Sequence, residues 1–163
     1  MFGFDSDMLF RIPALIAALT IHEYAHARAA VAMGDPTPRF LGRVTLNPIP
    51  HIDPIGLILL FIAGFGWAKP VEVNHRNFRD GRRGMFVVSL AGAGANIALG
   101  FVAWFFLLLL GELNLIGMVW QKTLWQLYRY NLMFAVFNLI PIPPLDGSKV
   151  LMSLLPGHLA YQY

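Results

Sequence analysis

Apolar residues run almost unbroken from Met8 to about Ala32, from Ile55 to Trp67, from Met85 to Leu110 and from Thr123 to about Ile140, with polar, basic or proline-rich stretches between them. A hydrocarbon core of about 30 Å takes roughly 20 helical residues, so the first, third and fourth runs are near spanning length. The second, about 13 residues, fits a re-entrant segment that enters and returns. In the stretch that follows, Val71 and Val73 alternate with Glu72 and Asn74 in the period-2 manner of a short strand. Such backbone is tolerated at membrane depth only where protein or a wet cavity satisfies it. Residues 34–54 read as a proline-rich loop, in which His51 and Asp53 are expected to be solvated or to cap a neighbour. The last run stops at Pro141, because Pro141, Pro143 and Pro144 cannot donate backbone hydrogen bonds. The pattern predicts an all-α integral membrane protein of one domain, residues 1–163, with three core transmembrane helices, a re-entrant segment and a short β-hairpin-like stretch.

Composition agrees with a lipid environment: 57% of residues are hydrophobic against 13% charged, and mean hydropathy is +0.59. The net charge of +3 does not mark a nucleic-acid binder, because eight of the twelve basic residues, Arg28 to Arg83, fall in one connection and its margins. By the positive-inside rule that connection is cytoplasmic, which puts the N-terminus and residues 112–122 outside and makes the chain a multi-pass protein of the cell membrane. Asp5 and Asp7 stand where a signal peptide would be basic, so the first apolar run is expected to remain in place.

Within that first run lies Ile21-His22-Glu23-Tyr24-Ala25-His26-Ala27. Residues four apart on a helix lie about 40° apart around the axis, so His22 and His26 offer two imidazoles to one point. With five His and three Glu in the chain, random placement would give roughly 0.003 copies of His-Glu-x-x-His. Ionisable groups inside a membrane helix cost about 2.5–3.5 kcal/mol each on insertion scales, which also argues for function. The chain has no cysteine, so a zinc site here must use nitrogen and oxygen ligands. Asp146 follows the proline break at the cytoplasmic end of the last span, at a depth comparable with His26, and is the expected third ligand. Two histidines and a carboxylate leave one position for water, the pattern of a catalytic Zn²⁺ site holding one ion per chain. Glu23, next to that position, is placed to act as the base of a metal-assisted amide hydrolysis. Asn96 or Asn138 is expected to hold the oxyanion or the substrate backbone.

These residues carry a resemblance. The His22 to Ala27 motif, Gly92-Ala93-Gly94-Ala95-Asn96, and Asn138 through Pro141 to Leu145-Asp146-Gly147 resemble the site-2 protease family of intramembrane zinc metalloproteases in its compact prokaryotic form. Asn47-Pro48 with His51, Asp53 and Gly56, and the stretch Gly66 to Val71, are also similar. The resemblance implies that His22, His26 and Asp146 bind zinc, that Glu23 is catalytic, and that substrates are single-pass transmembrane proteins cut within or near the bilayer. It differs at Ala93, where family members often carry proline, and it leads one to expect a further hydrophobic helix after Tyr163. The segment Val71, Glu72, Val73 and Asn74 is expected to offer a strand edge to an unwound substrate. Two other classes use similar ligands, a membrane metal carrier or sensor and an inactive homologue that binds transmembrane segments. A carrier has no need of Glu23.

Overall fold

The computed structural model describes residues 8–63 and 67–162. Three long helices form its body: α1 (Met8–Met33), α4 (Gly81–Glu112) and α5 (Met118–Asn138), each packed against the other two. Between α1 and α4 lie the short α2 (Thr37–Phe40), a 3-10 turn at Ile49–His51, α3 (Pro54–Ala63) and a second 3-10 turn at His75–Asn77. After α5 come α6 (Asp146–Leu154), which packs on α4, and α7 (Gly157–Gln162).

The helix ends follow from local chemistry. α1 closes with Gly34 at φ 114°, where Gly34 N donates to Val31 O at 3.2 Å and Asp35 N to Ala30 O at 2.9 Å, a left-handed glycine cap. A Cβ on Gly34 would also lie 2.9 Å from the carbonyl oxygen of Asn77, so the chain passes too closely here for a side chain. α4 begins at Asp80, whose side chain accepts from Arg83 N at 3.1 Å. α5 ends just before Pro141, and α6 starts hard against it. A Cβ on Gly147 would collide with the carbonyl oxygens of Leu139 and Ile140, so the Asp146-Gly147 pair needs glycine in its second place.

Polarity is distributed as lipid demands. α4 turns Phe101, Val102, Trp104, Phe105 and Phe106 outward, while Thr20, His22, Glu23, His26, Ser89, Asn96, Gln126 and Asn131 are buried between helices. Two helices are long and apolar enough to cross a membrane, α1 and α4. Together with the outward apolar faces they make this a membrane protein. The expected third span is a helix of 21 residues, about 31 Å long, but Gln121, Lys122, Gln126, Arg129 and Asn131 place it below the same standard.

The expected re-entrant run forms α3, whose 10 residues reach only about 15 Å. Its two ends meet: Ile52 and Ala68 form an antiparallel bridge, and Lys69 N donates to His51 O at 2.9 Å. Gly56 allows that return, since a Cβ there would run into the backbone of Trp67. Gly64, Phe65 and Gly66, part of this run, lie outside the described residues. The β-hairpin-like stretch is a correction. Among the described residues there is no strand, and that single bridge is the whole of the β-structure. Residues 71–74 are tied elsewhere: Val71 N donates to the Glu23 carboxylate and Asn74 N to Asp35, so the period-2 alternation reflects a segment with one side on the helices and the other outside.

Candidate metal centre

The three expected ligands come from two helices. α1 supplies His22 and His26 one turn apart on its buried face, and the start of α6 supplies Asp146. The Nε2 atoms of the two histidines are 2.9 Å apart, and Asp146 Oδ2 lies 3.2 Å from His22 Nε2 and 2.9 Å from His26 Nε2. Three donors bonded at about 2.0–2.1 Å to one tetrahedral ion are separated by about 3.3 Å. The triangle is within a few tenths of an ångström of that size. Among the described residues this is the one group of three or more His, Cys, Asp and Glu side chains gathered closely enough for a metal.

The second ring atom of each histidine is already spoken for. His22 Nδ1 donates to Asn96 Oδ1 at 2.7 Å, and His26 Nδ1 donates to the Val88 carbonyl at 2.7 Å. Both bonds place the proton on Nδ1 and leave the Nε2 lone pair facing the centre, the arrangement that orients metal-binding imidazoles. Asn96 is itself fixed, with Nδ2 donating to Ala18 O at 2.9 Å and to Asn131 Oδ1 at 2.8 Å. It is fully buried and its amide is consumed behind the histidine, so the expected oxyanion role does not fit it. Asn138 does line the central cavity, with one Nδ2 hydrogen on Phe134 O at 3.1 Å and its amide otherwise beside the site. The structure thus separates two asparagines that sequence left equal.

Asp146 presents Oδ2 to the histidines while Oδ1 accepts from Lys149 Nζ at 3.2 Å. Burial pushes its carboxyl up, but hydrogen bonding to the two imidazoles and the Lys149 ammonium hold it well below the usual carboxylate range. Lys149 was not singled out by the sequence. The signal that could have found it is its i,i+3 spacing from Asp146 on a short helix.

Glu23 borders the same cavity, of about 290 Å³, with Pro70, Val71, Val73, Asn138 and Lys149 around it. Its Oε2 accepts from Val71 N at 2.9 Å, which fixes one oxygen and leaves the other to the cavity. The segment that makes this contact is clamped at both ends. Arg43 donates to the carbonyls of Pro50 and Lys69 at its start. At its end Asp35 accepts from Asn74 N at 2.7 Å, Asn77 Nδ2 at 2.8 Å, Thr37 Oγ1 at 2.6 Å and Thr37 N at 3.1 Å. Burial raises the Asp35 carboxyl, but these bonds outweigh it and hold its pKa below the ordinary value. A depressed folded-state pKa makes this knot's contribution complete above the unfolded value and lost as pH falls through the folded one.

His51 and Asp53 are not at the centre. His51 is 1% exposed rather than solvated, with Nε2 donating to the Thr45 carbonyl at 2.9 Å. Asp53 Oδ1 accepts from Ile55 N at 2.9 Å and Gly56 N at 3.0 Å and so caps α3, as the loop reading expected.

Comparison with known proteins identifies the family. Residues 111–161 match the family described as Peptidase family M50. YwhC of Bacillus subtilis, named as a zinc metalloprotease, is 40% identical over 158 residues, which cover 93% of this chain and 71% of that protein. Rip2 of Mycobacterium tuberculosis, also named as a zinc metalloprotease, is 34% identical over 83% of this chain, and Stage IV sporulation protein FB of Bacillus subtilis is 31% identical over 91%. The chain spans 53% of the length of the former and 41% of the latter. No solved structure matches it. With 40% identity across nearly the whole chain, this protein belongs to peptidase family M50, the site-2 protease family of zinc metalloproteases.

Proposed function

We propose that this metalloprotease cuts peptide bonds in or near the transmembrane segments of other membrane proteins, with zinc held by His22, His26 and Asp146. The observation that carries the reading is the meeting of those three donors and Glu23 on one cavity between helices whose outer faces suit lipid. When bound, zinc supplies an acidified water and an electrophile for the scissile carbonyl. The residues of the chain do the rest. Glu23 takes the proton of the attacking water through its free oxygen and returns it to the leaving amine. Val71 N–H keeps that carboxylate turned to the cavity, and Asn138 offers its amide to the developing oxyanion. Asn96 and the Val88 carbonyl hold the two imidazoles in the tautomer and orientation that the ion needs.

A substrate helix hides its carbonyls in i to i−4 hydrogen bonds and has to unwind before it reaches Glu23. We place its unwound backbone beside residues 71–74, narrowed from an open edge of four residues. With Val71 N on Glu23 and Asn74 N on Asp35, Glu72 and Val73 are the part that meets it.

Metal analysis of purified protein tests the ligand set. About one zinc per chain is expected, falling in His22→Ala, His26→Ala and Asp146→Ala. Full occupancy in Asp146→Ala would remove it from the set. The topology has its own test, since the chain contains no cysteine. A cysteine in place of Asn114, exposed in the turn after α4, is expected to react with an impermeant reagent from outside the cell, and labelling from the cytoplasmic side alone would invert the orientation.

A further inference from the structure

The two oxygens of the Asp146 carboxylate have separate surroundings. Oδ2 faces the histidines, 3.2 Å from His22 Nε2 and 2.9 Å from His26 Nε2, while Oδ1 accepts from Lys149 Nζ at 3.2 Å. The division is built into α6, because residues three apart share a helix face and the lysine stem rises beside the carboxylate. The helix is held against turning. At its start Gly147 sits against the carbonyls of Leu139 and Ile140, and Ser148 Oγ donates to Leu145 O at 2.6 Å; at its end Arg82 Nη2 donates to Leu155 O at 2.8 Å. Lys149 borders the metal cavity, with its side chain 43% exposed against 9% for that of Asp146. A pair of this spacing on an open surface is weak, but a buried carboxylate is poorly screened by solvent and holds its ammonium more firmly.

We propose that Lys149 is a positioning residue that limits Asp146 to one donor oxygen, and so keeps a position at the zinc centre open for the reaction. The inference deepens the protease reading and rests on its ligand set of His22, His26 and Asp146. A carboxylate with both oxygens unengaged can give both to one ion, and zinc accepts a fifth donor. Asp146 bound in that way would crowd the side of the cavity that Glu23 borders. The ammonium opposes this twice over. It occupies Oδ1 with a charge-assisted hydrogen bond, and its positive charge draws electron density out of the carboxylate, which leaves the centre the stronger electrophile. A lysine that instead gripped the substrate would leave no mark on the centre when substrate is absent, and this difference separates the two roles.

The test loads the full chain with Co²⁺, whose visible absorption is strong with four ligands and weak with five, and needs no substrate. Wild type and Lys149→Arg, which keeps a charged donor, should absorb strongly. Lys149→Met keeps the apolar stem but neither charge nor donor, and should absorb weakly while holding its ion against a chelator at least as tightly as wild type does. Lys149→Gln, uncharged but polar at its exposed tip, should match Lys149→Met, which sets the lost charge apart from any upset of the fold by an apolar tip. With zinc and a single-pass model substrate, both uncharged variants should lower kcat by about 10–100-fold with KM held, and arginine should restore it. Strong cobalt absorption in both uncharged variants, or loss of their ion, would overturn the proposal. So would a raised KM with kcat held, which would move Lys149 onto the substrate. The two readings fail separately. A wild-type chain whose Co²⁺ uptake does not depend on His22 sinks the ligand set and this inference with it, whereas a cobalt spectrum that depends on His22 but not on Lys149 sinks the role of the lysine alone.

Discussion

Glu23→Gln is expected to keep its zinc and to lose cleavage by about 10²–10⁴-fold, the usual worth of a positioned general base. The amide preserves the shape of the side chain and can still accept from Val71 N, so the segment over the cavity stays in place. What disappears is the ability to take a proton from water at neutral pH. Zinc content measured beside the cleavage rate decides the matter. A variant that loses metal in step with activity would make Glu23 a ligand, and one that cuts at the wild-type rate would leave the chain without a base.

The second large effect is expected at a residue with no functional group. A Cβ on Gly92 would lie 2.5 Å from His26 Nε2, 2.6 Å from His22 Cε1 and 2.7 Å from His22 Nδ1. No relaxation of a flexible tip can absorb that, since both rings are pinned by Asn96 and the Val88 carbonyl. Gly92→Ala should therefore lower zinc affinity by more than about 100-fold, because the partners behind a ligand alone are worth 10–100-fold. Gly94→Ala, two residues on, meets nothing within 4 Å and should be silent. Chelator competition on the two variants gives the comparison, and equal affinities would show that α4 can move away from α1 without loss.

The contrast between these two residues shows how far the sequence could be read. The His22, Glu23 and His26 spacing is a local fact of helix pitch, and the proline break marks Asp146 as the residue that follows the last span. Long apolar runs located α1, α4 and α5 to within a few residues. Gly92 looked like one more small residue for helix packing, because what it makes room for lies 70 residues earlier. Asn96 was recognised as a polar group in a span, but its direction, away from the cavity and onto His22, depends on the rotation of α4. Val71 to Asn74 misled for a related reason. Alternation reports that one side of an extended stretch is covered, and here the cover is Glu23 and Asp35 rather than a neighbouring strand.

The donors of the metal centre stand as much as 124 residues apart along the chain, His22 on α1 and Asp146 at the start of α6. Translation runs from the first of these to the second, so α1 and its two imidazoles are made well before the carboxylate that completes the triangle. Throughout that interval the nascent chain holds Glu23 and two of the three donors but lacks the third that would fix an ion. The order of synthesis therefore sets the earliest moment at which the centre can hold an ion, the arrival of α6 beside α1 and α4.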